Sequence, residues 1–219
     1  PNMLVKRALV TAVLLPVGLA VIVLGGLWYF ALITLMLGLA APEFARLFRA
    51  GGYHPAGFLI TAGTVLLVTV RYIFGPADSG WAVSLIILGA MAFHLVDFER
   101  GRSQAGTDFS ITLAGALYLG WIGSYLILLR ELPGGMWWVL TVLPAVWLAD
   151  TGAYFIGKRF GKHKLSPRLS PAKTWEGYLG GILASIPGTA LLVVLYLSWG
   201  ASVPGLTPLN GALMGLVLS

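Results

Sequence analysis

Residues 149–181 read ADTGAYFIGKRFGKHKLSPRLSPAKTWEGYLGG. This stretch carries six of the fourteen Lys and Arg residues of the chain and lies between two strongly apolar segments. A carboxylate, Asp150, stands at the end of the first segment, and Lys173 and Glu176 lie where the second one opens. The order predicts a basic loop, residues 157–174, that the flanking helices hold at a membrane surface.

The composition indicates a polytopic membrane protein. Of the 219 residues, 58% are hydrophobic and 10% are charged, and the mean hydropathy is +0.89. A soluble domain has about 25% charged residues, whereas a bilayer accepts helices of about 20 residues that are apolar all round. The net charge of +6 lies mostly between apolar segments. This favours anionic lipid head groups and phosphate-bearing substrates as partners, and not nucleic acid.

Apolar windows recur along the chain. They fall at residues 8–24, 27–41, 56–73, 81–96, 109–129, 136–156, 178–199 and 206–219. The sequence therefore predicts an all-α integral membrane protein, a multi-span transmembrane helical bundle with about eight spans, as a single domain over residues 1–219. The chain has no cysteine, which excludes thiolate chemistry and a Cys-based metal site.

The distribution of basic residues predicts the orientation. With the N-terminus in the cytoplasm, only Arg71 and Arg130 of the fourteen basic residues lie on the outer side. The positive-inside rule thus predicts a cytoplasmic N-terminus, a cell inner membrane location and a cytoplasmic basic loop. The segment 42–55, PEFARLFRAGGYHP, is expected as a loop along the inner surface, with Glu43 and His54 as solvated residues.

Asp150 is the candidate metal ligand. Its spacing places it on the same helical face as Tyr154 and Gly157. An ionised Asp inside a membrane costs at least about 2.5–3.5 kcal/mol, so such a residue usually faces the bundle interior and pairs with a cation. Two interpretations are open. Asp150 forms an ion pair with a nearby lysine, or it binds a divalent metal that carries a nucleotide phosphate.

The basic loop contains the elements of a phosphate site. Ser170-Pro171 has the pattern of an N-cap followed by proline at the first helical position, so a helix is predicted to begin there. Helix N-termini attract phosphate, and Lys173 and Thr174 would add a charge and a hydroxyl on that first turn. Taken singly, the basic residues could only set the topology and bind anionic lipid, and Glu176 could only pair with Lys173. Together they predict a cytoplasmic pocket for a polyphosphate.

Three motifs carry a resemblance to a known family. They are DTGAYFIG at 150–157, FGKHKLSP at 160–167 and SPAKTWEG at 170–177. In these motifs the chain resembles the bacterial phosphatidate cytidylyltransferases, also called CDP-diglyceride synthases, and it does so more weakly at 42–44 and 118–121. The resemblance implies that CTP condenses with phosphatidic acid to give CDP-diacylglycerol and pyrophosphate for phospholipid synthesis, with Mg²⁺. The residues by themselves indicate phosphate and metal, and only the resemblance indicates cytidine.

The resemblance and the predicted pocket together give roles to single residues. The lipid phosphate would attack the α-phosphorus of CTP in line, and the protein would position the groups and neutralise charge. The expected catalytic residues are Asp150, Lys173 and Glu176, with Asp150 as the Mg²⁺ ligand. The expected substrate-binding residues are Tyr154, Lys164, Ser166, Arg168, Ser170 and Thr174. CTP, phosphatidic acid and membrane lipids are the expected partners, and a homodimer is left open.

Two other functions fit parts of the sequence. A transporter or channel could use Asp150 and Tyr154 to line a pathway, although the charge is confined to one interface and no inverted repeat is evident. A related enzyme that acts on another lipid phosphate would use the same chemistry. Radiolabelled flux in proteoliposomes, compared with CTP-dependent formation of a lipid product, separates the transporter from the transferase, and a substrate panel separates the two enzymes.

The C-terminal segment predicts an incomplete chain. Members of the family that the chain resembles continue with a Lys-Asp pair and a His-Gly-Gly motif, followed by Asp-Arg and another Asp. After Gly181 this chain contains no Asp, Glu, Lys, Arg or His. A phosphoryl-transfer site needs more than one carboxylate to hold its metal. We therefore expect a chain truncated at its C-terminus, with an incomplete set of metal ligands and little or no activity by itself.

Overall fold

The computed structural model describes the backbone of residues 3–219 and the side chains of residue 12 and residues 14–219. The helices are α1 (Met3–Leu24), α2 (Gly26–Ala50), α3 (Gly57–Phe74), α4 (Gly80–Glu99), α5 (Ala105–Ala116), α6 (Tyr125–Glu131), α7 (Gly135–Phe160), α8 (Trp175–Ser198) and α9 (Pro208–Val217). A 3₁₀ turn (Ala77–Ser79) precedes α4, and a π-helical turn (Leu117–Ile122) follows α5. Lys6 and Arg7, which count toward the predicted orientation, lie outside the described side chains.

Six helical segments of the described chain are long and apolar enough to cross a membrane. They are Gly26–Ala50, Gly57–Phe74, Ala77–Glu99, Ala105–Glu131, Gly135–Phe160 and Trp175–Ser198. Two shorter apolar helices, Leu14–Leu24 and Pro208–Val217, fall in the first and last predicted windows. An all-α, multi-span membrane protein is therefore confirmed. The number of about eight spans and the cytoplasmic N-terminus stay predictions.

Helix α2 continues past Pro42 to Ala50, so the prediction of a loop from residue 42 was wrong. The physical reason is packing. Ala41 and Ala45 are fully buried and form a core cluster with Ile60 of α3. Close contact between the two helices compensates for the backbone hydrogen bond that a proline removes from a helix interior.

The chain divides into two compact units, Pro1–Leu129 and Arg130–Ser219. In the first unit, α3, α4 and α5 enclose an apolar core, whose buried members are Leu67, Val70, Ala82, Ile86 and Ala116. In the second unit, a core between α7, α8 and the segment before α9 has the buried members Val193, Tyr196, Ala201 and Leu206. The single domain over residues 1–219 stays a prediction.

A polar network in the first unit connects the segment before α3 to α5. Asp108 is fully buried, accepts the backbone N–H of His54 at 2.7 Å and forms an ion pair with Arg102. One turn further along α5, the hydroxyl oxygen of Thr112 accepts the backbone N–H of Ala56 at 3.0 Å. The His54 side chain is exposed, as expected, and its backbone is part of this network.

Arg71, which the sequence places on the outer side, is buried at the end of α3. Its guanidinium lies over the rings of Trp121 and Tyr125, 4.1 and 4.4 Å from their centroids. It donates to the carbonyl of Trp121 at 2.8 Å and to the hydroxyl of Ser124 at 2.9 Å. Arg71 therefore connects α3 to the end of the π-helical turn and to the residues that follow this turn.

Helices α7 and α8 of the second unit pack antiparallel through small residues. A Cβ atom built at Gly181 would lie 2.9 Å from the carbonyl oxygen of Ala149, and one at Gly152 would lie 2.6 Å from that of Gly180. Both distances are too short for a side chain. The glycines thus permit the close backbone approach that membrane helices use for van der Waals packing. Helix α9 packs on α8, where the Ser185 hydroxyl donates to a carbonyl of α9 at 2.7 Å.

We expect Gly152→Ala to destabilise the protein by about 1–3 kcal/mol, because the new methyl group meets backbone atoms that cannot move aside. Gly89→Ala in α4 is the matched control, since a Cβ atom there meets nothing within 4 Å. That variant should be neutral or more stable by up to about 1 kcal/mol, from helix propensity. Thermal unfolding in detergent measures both. Equal unfolding temperatures would contradict the close approach of α7 and α8.

Candidate functional site

The segment between α7 and α8 forms an antiparallel hairpin of two short strands. Strand β1 is Lys164–Ser166 and strand β2 is Ser170–Thr174. Lys164 lies opposite Thr174, and Ser166 lies opposite Ser170. The basic loop was predicted at residues 157–174. Its first residues belong to the last turn of α7, and most of the others form this hairpin.

Helix α8 begins at Trp175, so the prediction that it begins at Ser170-Pro171 was wrong. Thr174 is its N-cap, and the Thr174 hydroxyl oxygen accepts the backbone N–H of Gly177 at 3.1 Å. Ser170 and Thr174 are both suitable N-cap residues, and pairing of Ser170 in the hairpin leaves the cap to Thr174. Proline is compatible with a strand that lies at the edge of a sheet.

The Thr174 side chain is enclosed by the backbones of neighbouring glycines. A Cβ atom at Gly157 would lie 3.2 Å from its hydroxyl oxygen, and one at Gly161 would lie 2.7 Å from it. The same hypothetical atom at Gly157 would lie 3.3 Å from the Cα of Gly177. The hydroxyl that the sequence assigns to substrate therefore lies in the seam between α7 and α8.

The basic side chains of the hairpin are exposed. Lys173 precedes the buried Thr174 in β2. Because successive side chains of a strand point to opposite faces, Lys173 lies on the outer face. Lys164 in β1 and Arg168 between the strands are exposed as well. Among the described residues, no carboxylate pairs with these three cations. Together they give the hairpin a positive surface that attracts polyanions. The expected substrate ligands Ser166 and Ser170 are half-buried within the strands.

Asp150, Tyr154 and Lys158 follow one another at intervals of four residues on the exposed side of α7. The ammonium nitrogen of Lys158 lies 3.5 Å from the Tyr154 hydroxyl and 5.6 Å from the centroid of its ring. Within the part of the chain that the structure describes, Asp150 forms no ion pair, so the lysine pair that the sequence left open is not observed there. Its carboxylate is available to a ligand.

The carboxylate of Glu176, in the first turn of α8, is already engaged. It accepts the backbone N–H of Lys162 at 3.1 Å and that of His163 at 3.2 Å. The ring nitrogen Nδ1 of His163 lies 2.6 Å from its other oxygen. Among the described side chains, Glu176 pairs with His163 and not with Lys173, the partner that the sequence had suggested. Sequence reasoning missed His163, because it lies thirteen positions before Glu176 and only the hairpin brings the two side chains together.

The structure does not bring Asp150 and Glu176 into one metal site. Gly157 lies beside Gly177 across the antiparallel pair, so Glu176 is level with the end of α7. Asp150 precedes Gly157 by seven residues, which corresponds to about 10 Å along the helix axis. In residues whose side chains are described, no group of three or more His, Cys, Asp or Glu side chains could hold a metal ion.

In the part of the chain that the structure describes, the exposed cations of the hairpin have no carboxylate partner, so in this multi-span membrane protein they are suited to bind anionic phosphate groups. A profile of the cytidylyltransferase family matches residues 5–219, and the chain belongs to this family. The phosphatidate cytidylyltransferase of Pseudomonas aeruginosa is 36% identical over 185 residues, which cover 82% of this chain and 67% of the relative. The enzyme of the same name from Staphylococcus saprophyticus is 32% identical over 186 residues, with coverages of 82% and 68%. The resemblance seen in the sequence is confirmed.

We expect Thr174→Ala to destabilise the second unit by about 0.5–2 kcal/mol, the usual effect of removing an N-cap side chain. Ser170→Ala is the control, since it removes a similar hydroxyl four residues before the cap. Its effect should stay below about 0.5 kcal/mol. Thermal unfolding of the two variants measures the difference. A larger effect at Ser170 than at Thr174 would place the start of the helix back at Ser170-Pro171.

Proposed function

We propose that this chain transfers the cytidylyl group of CTP to phosphatidic acid and releases pyrophosphate, which makes CDP-diacylglycerol for phospholipid synthesis. The observation that carries the proposal is the exposed basic surface of the hairpin, formed by Lys164, Arg168 and Lys173, which has no carboxylate partner among the described side chains of this cytidylyltransferase family member. Such a surface suits a triphosphate. Both relatives are phosphatidate cytidylyltransferases by name, which supports phosphatidic acid as the acceptor.

The proposal places the hairpin on the cytoplasmic side of the cell inner membrane. The asymmetry of the basic residues supports this orientation, because six of the fourteen lie between residues 158 and 173. CTP is a soluble nucleotide and reaches the hairpin from the cytoplasm. The phosphate of phosphatidic acid lies at the level of the head groups, so both substrates meet at the interface.

The reaction is an in-line displacement at phosphorus. An oxygen of the lipid phosphate forms a bond to the α-phosphorus of CTP. The bond from that phosphorus to the oxygen that bridges it to the β-phosphorus breaks, and the oxygen leaves with the electron pair as part of pyrophosphate. Lys164, Arg168 and Lys173 hold the phosphate oxygens and neutralise their charge. Hydroxyl groups of Ser166 and Ser170 donate to the same oxygens.

The exposed face of α7 completes the proposed site. Tyr154 would contact substrate next to Lys158, and Asp150 would hold Mg²⁺ from the same side of the helix. The single carboxylate of Asp150 fits this role, because Mg²⁺ binds through one or two carboxylates together with substrate phosphates and waters. When bound, Mg²⁺ neutralises charge on the phosphate oxygens. Glu176 is not assigned to the metal, since its oxygens are occupied by backbone and ring N–H groups.

Transfer from labelled CTP tests the proposal. The purified full-length protein in liposomes with phosphatidic acid and Mg²⁺ should convert label into a lipid-soluble nucleotide. Diacylglycerol in place of phosphatidic acid should give none, since it lacks the attacking phosphate. Product from another lipid phosphate, but not from phosphatidic acid, would support the related enzyme. Failure with every lipid phosphate would contradict the transferase.

We expect Lys173→Ala to lower kcat/KM for CTP by about 10–100-fold, the effect of losing a hydrogen bond between charged groups. Insertion into the membrane should not change, because Lys173 is exposed. Arg100→Ala is the control, as it removes another exposed basic residue that lies outside the hairpin. Steady-state kinetics at varied CTP measure both variants. A kcat/KM of Lys173→Ala equal to that of the unsubstituted protein would remove Lys173 from the phosphate site.

We expect Asp150→Asn to raise the Mg²⁺ concentration that gives half-maximal activity by about tenfold or more, because the amide keeps the shape of the ligand and removes its charge. Glu131→Gln serves as the matched control. Magnesium titrations of the transfer rate give the comparison. An unchanged titration in Asp150→Asn would show that Asp150 has a structural role.

A further inference from the structure

Glu176 holds the base of the hairpin to the first turn of α8. One of its oxygens accepts two consecutive backbone N–H groups, those of Lys162 and His163, at 3.1 and 3.2 Å. The other oxygen lies 2.6 Å from Nδ1 of the His163 ring. The carbonyl of His163 in turn accepts the backbone N–H of Trp175 at 2.9 Å. The chain that leaves α7 is thus fixed to the start of α8 by backbone and side-chain bonds together.

These bonds give an acceptor to two backbone N–H groups that have no partner within a helix or a strand. Helix α7 ends at Phe160, and the N–H of Gly161 still bonds to the carbonyl of Gly157 at 3.0 Å. The next two N–H groups follow the helix and precede β1, which begins at Lys164. Glu176 supplies their acceptor. A carboxylate accepts but cannot donate, so Nδ1 of His163 carries the proton of their bond. Bonds to a charged acceptor are the stronger ones.

The cluster lies next to the residues that the proposed function uses. Lys164 follows His163 directly, and Lys173 lies three residues before Glu176, next to the partner of Lys164 in the strand pair. A change in the direction of the chain at residues 161–163 would therefore move both cations together. Since Lys164 and Lys173 have long and exposed side chains, the backbone below them sets where their charges lie.

We propose that Glu176 and His163 form a positioning latch, which fixes the hairpin so that its cations can bind the nucleotide phosphates. Glu176 then acts through the hairpin, and it neither binds metal nor transfers a proton in the reaction. The three N–H groups bonded to Glu176 take up most of the acceptor capacity of its carboxylate, so a cation would compete with them for its oxygens. The latch itself is inferred from the contacts of Glu176. Only the identity of the phosphate ligand rests on the proposed function.

Hydrogen exchange tests the latch without substrate or metal. Glu176→Gln keeps the shape of the side chain but puts an amide NH₂ where one of the oxygens meets N–H donors. The amides of residues 161–174 should exchange about tenfold faster than in the unsubstituted protein. Trypsin should cut faster at Lys164 and Arg168. Glu99→Gln, another carboxylate change at the end of α4, should leave both rates unchanged.

Kinetics separate positioning from catalysis in the same variant. The latch predicts that Glu176→Gln raises KM for CTP by about tenfold and changes kcat by less than about threefold, because the reacting groups stay in place once the phosphates are bound. A large fall in kcat with unchanged exchange and unchanged trypsin cleavage would overturn the proposal. Glu176 would then contact the reacting groups or their metal.

A second variant covers the case in which Glu176→Gln does not fold. His163→Ala removes the ring contact and leaves both backbone N–H bonds, so exchange of the hairpin should rise by a smaller factor, about threefold. An unchanged exchange rate of the hairpin in this variant would show that the His163 ring does not contribute to the latch. If the unsubstituted protein transfers nothing from CTP, the proposed function fails, and the exchange and cleavage rates still decide whether the latch exists.

Discussion

The close approach of α7 and α8 is the constraint on which the candidate site depends. Backbone atoms approach closely at Gly152, Gly157 and Gly181, where an added Cβ atom would lie 2.6, 3.3 and 2.9 Å from a backbone atom of the facing helix. Lipid does not drive helices together by the hydrophobic effect, so such contacts and the dispersion attraction they permit hold a membrane bundle together. The short connection between the two helices begins and ends at this seam, which fixes both ends of the hairpin.

Some polar side chains at the hairpin bond within the chain, and others face outward. Thr174 turns into the seam and caps α8, whereas Lys173 next to it turns outward because side chains alternate along a strand. Glu176 turns back to the end of α7 and occupies its carboxylate with N–H groups. The cations are thus left without carboxylate partners in the described chain, and the basic surface remains open to an anionic ligand. Asp150 lies on the exposed side of α7, about two turns before Gly157.

Much of the fold could be predicted from the sequence, since the apolar windows lie for the most part on helices. The family could be predicted as well, from three short motifs. The start of α8 could not be predicted. Ser170-Pro171 and Thr174 are both good helix starts by local preference, and the choice between them depends on strand pairing with residues 164–166. The helical course of α2 beyond Pro42 also depends on packing, here against Ile60.

The sequence by itself determined the membrane class, the recurrence of apolar helices and the concentration of basic residues in one loop, because hydropathy and charge act locally and need no partner. Only the tertiary structure decided which of the loop residues face outward and which are used internally. Thr174 and Glu176 carry the same donors and acceptors in the sequence whether they bind a substrate or the chain itself. The fold gives them partners in Gly177, Lys162 and His163, since a hydrogen bond requires two groups within about 3 Å, and folding brings these groups together.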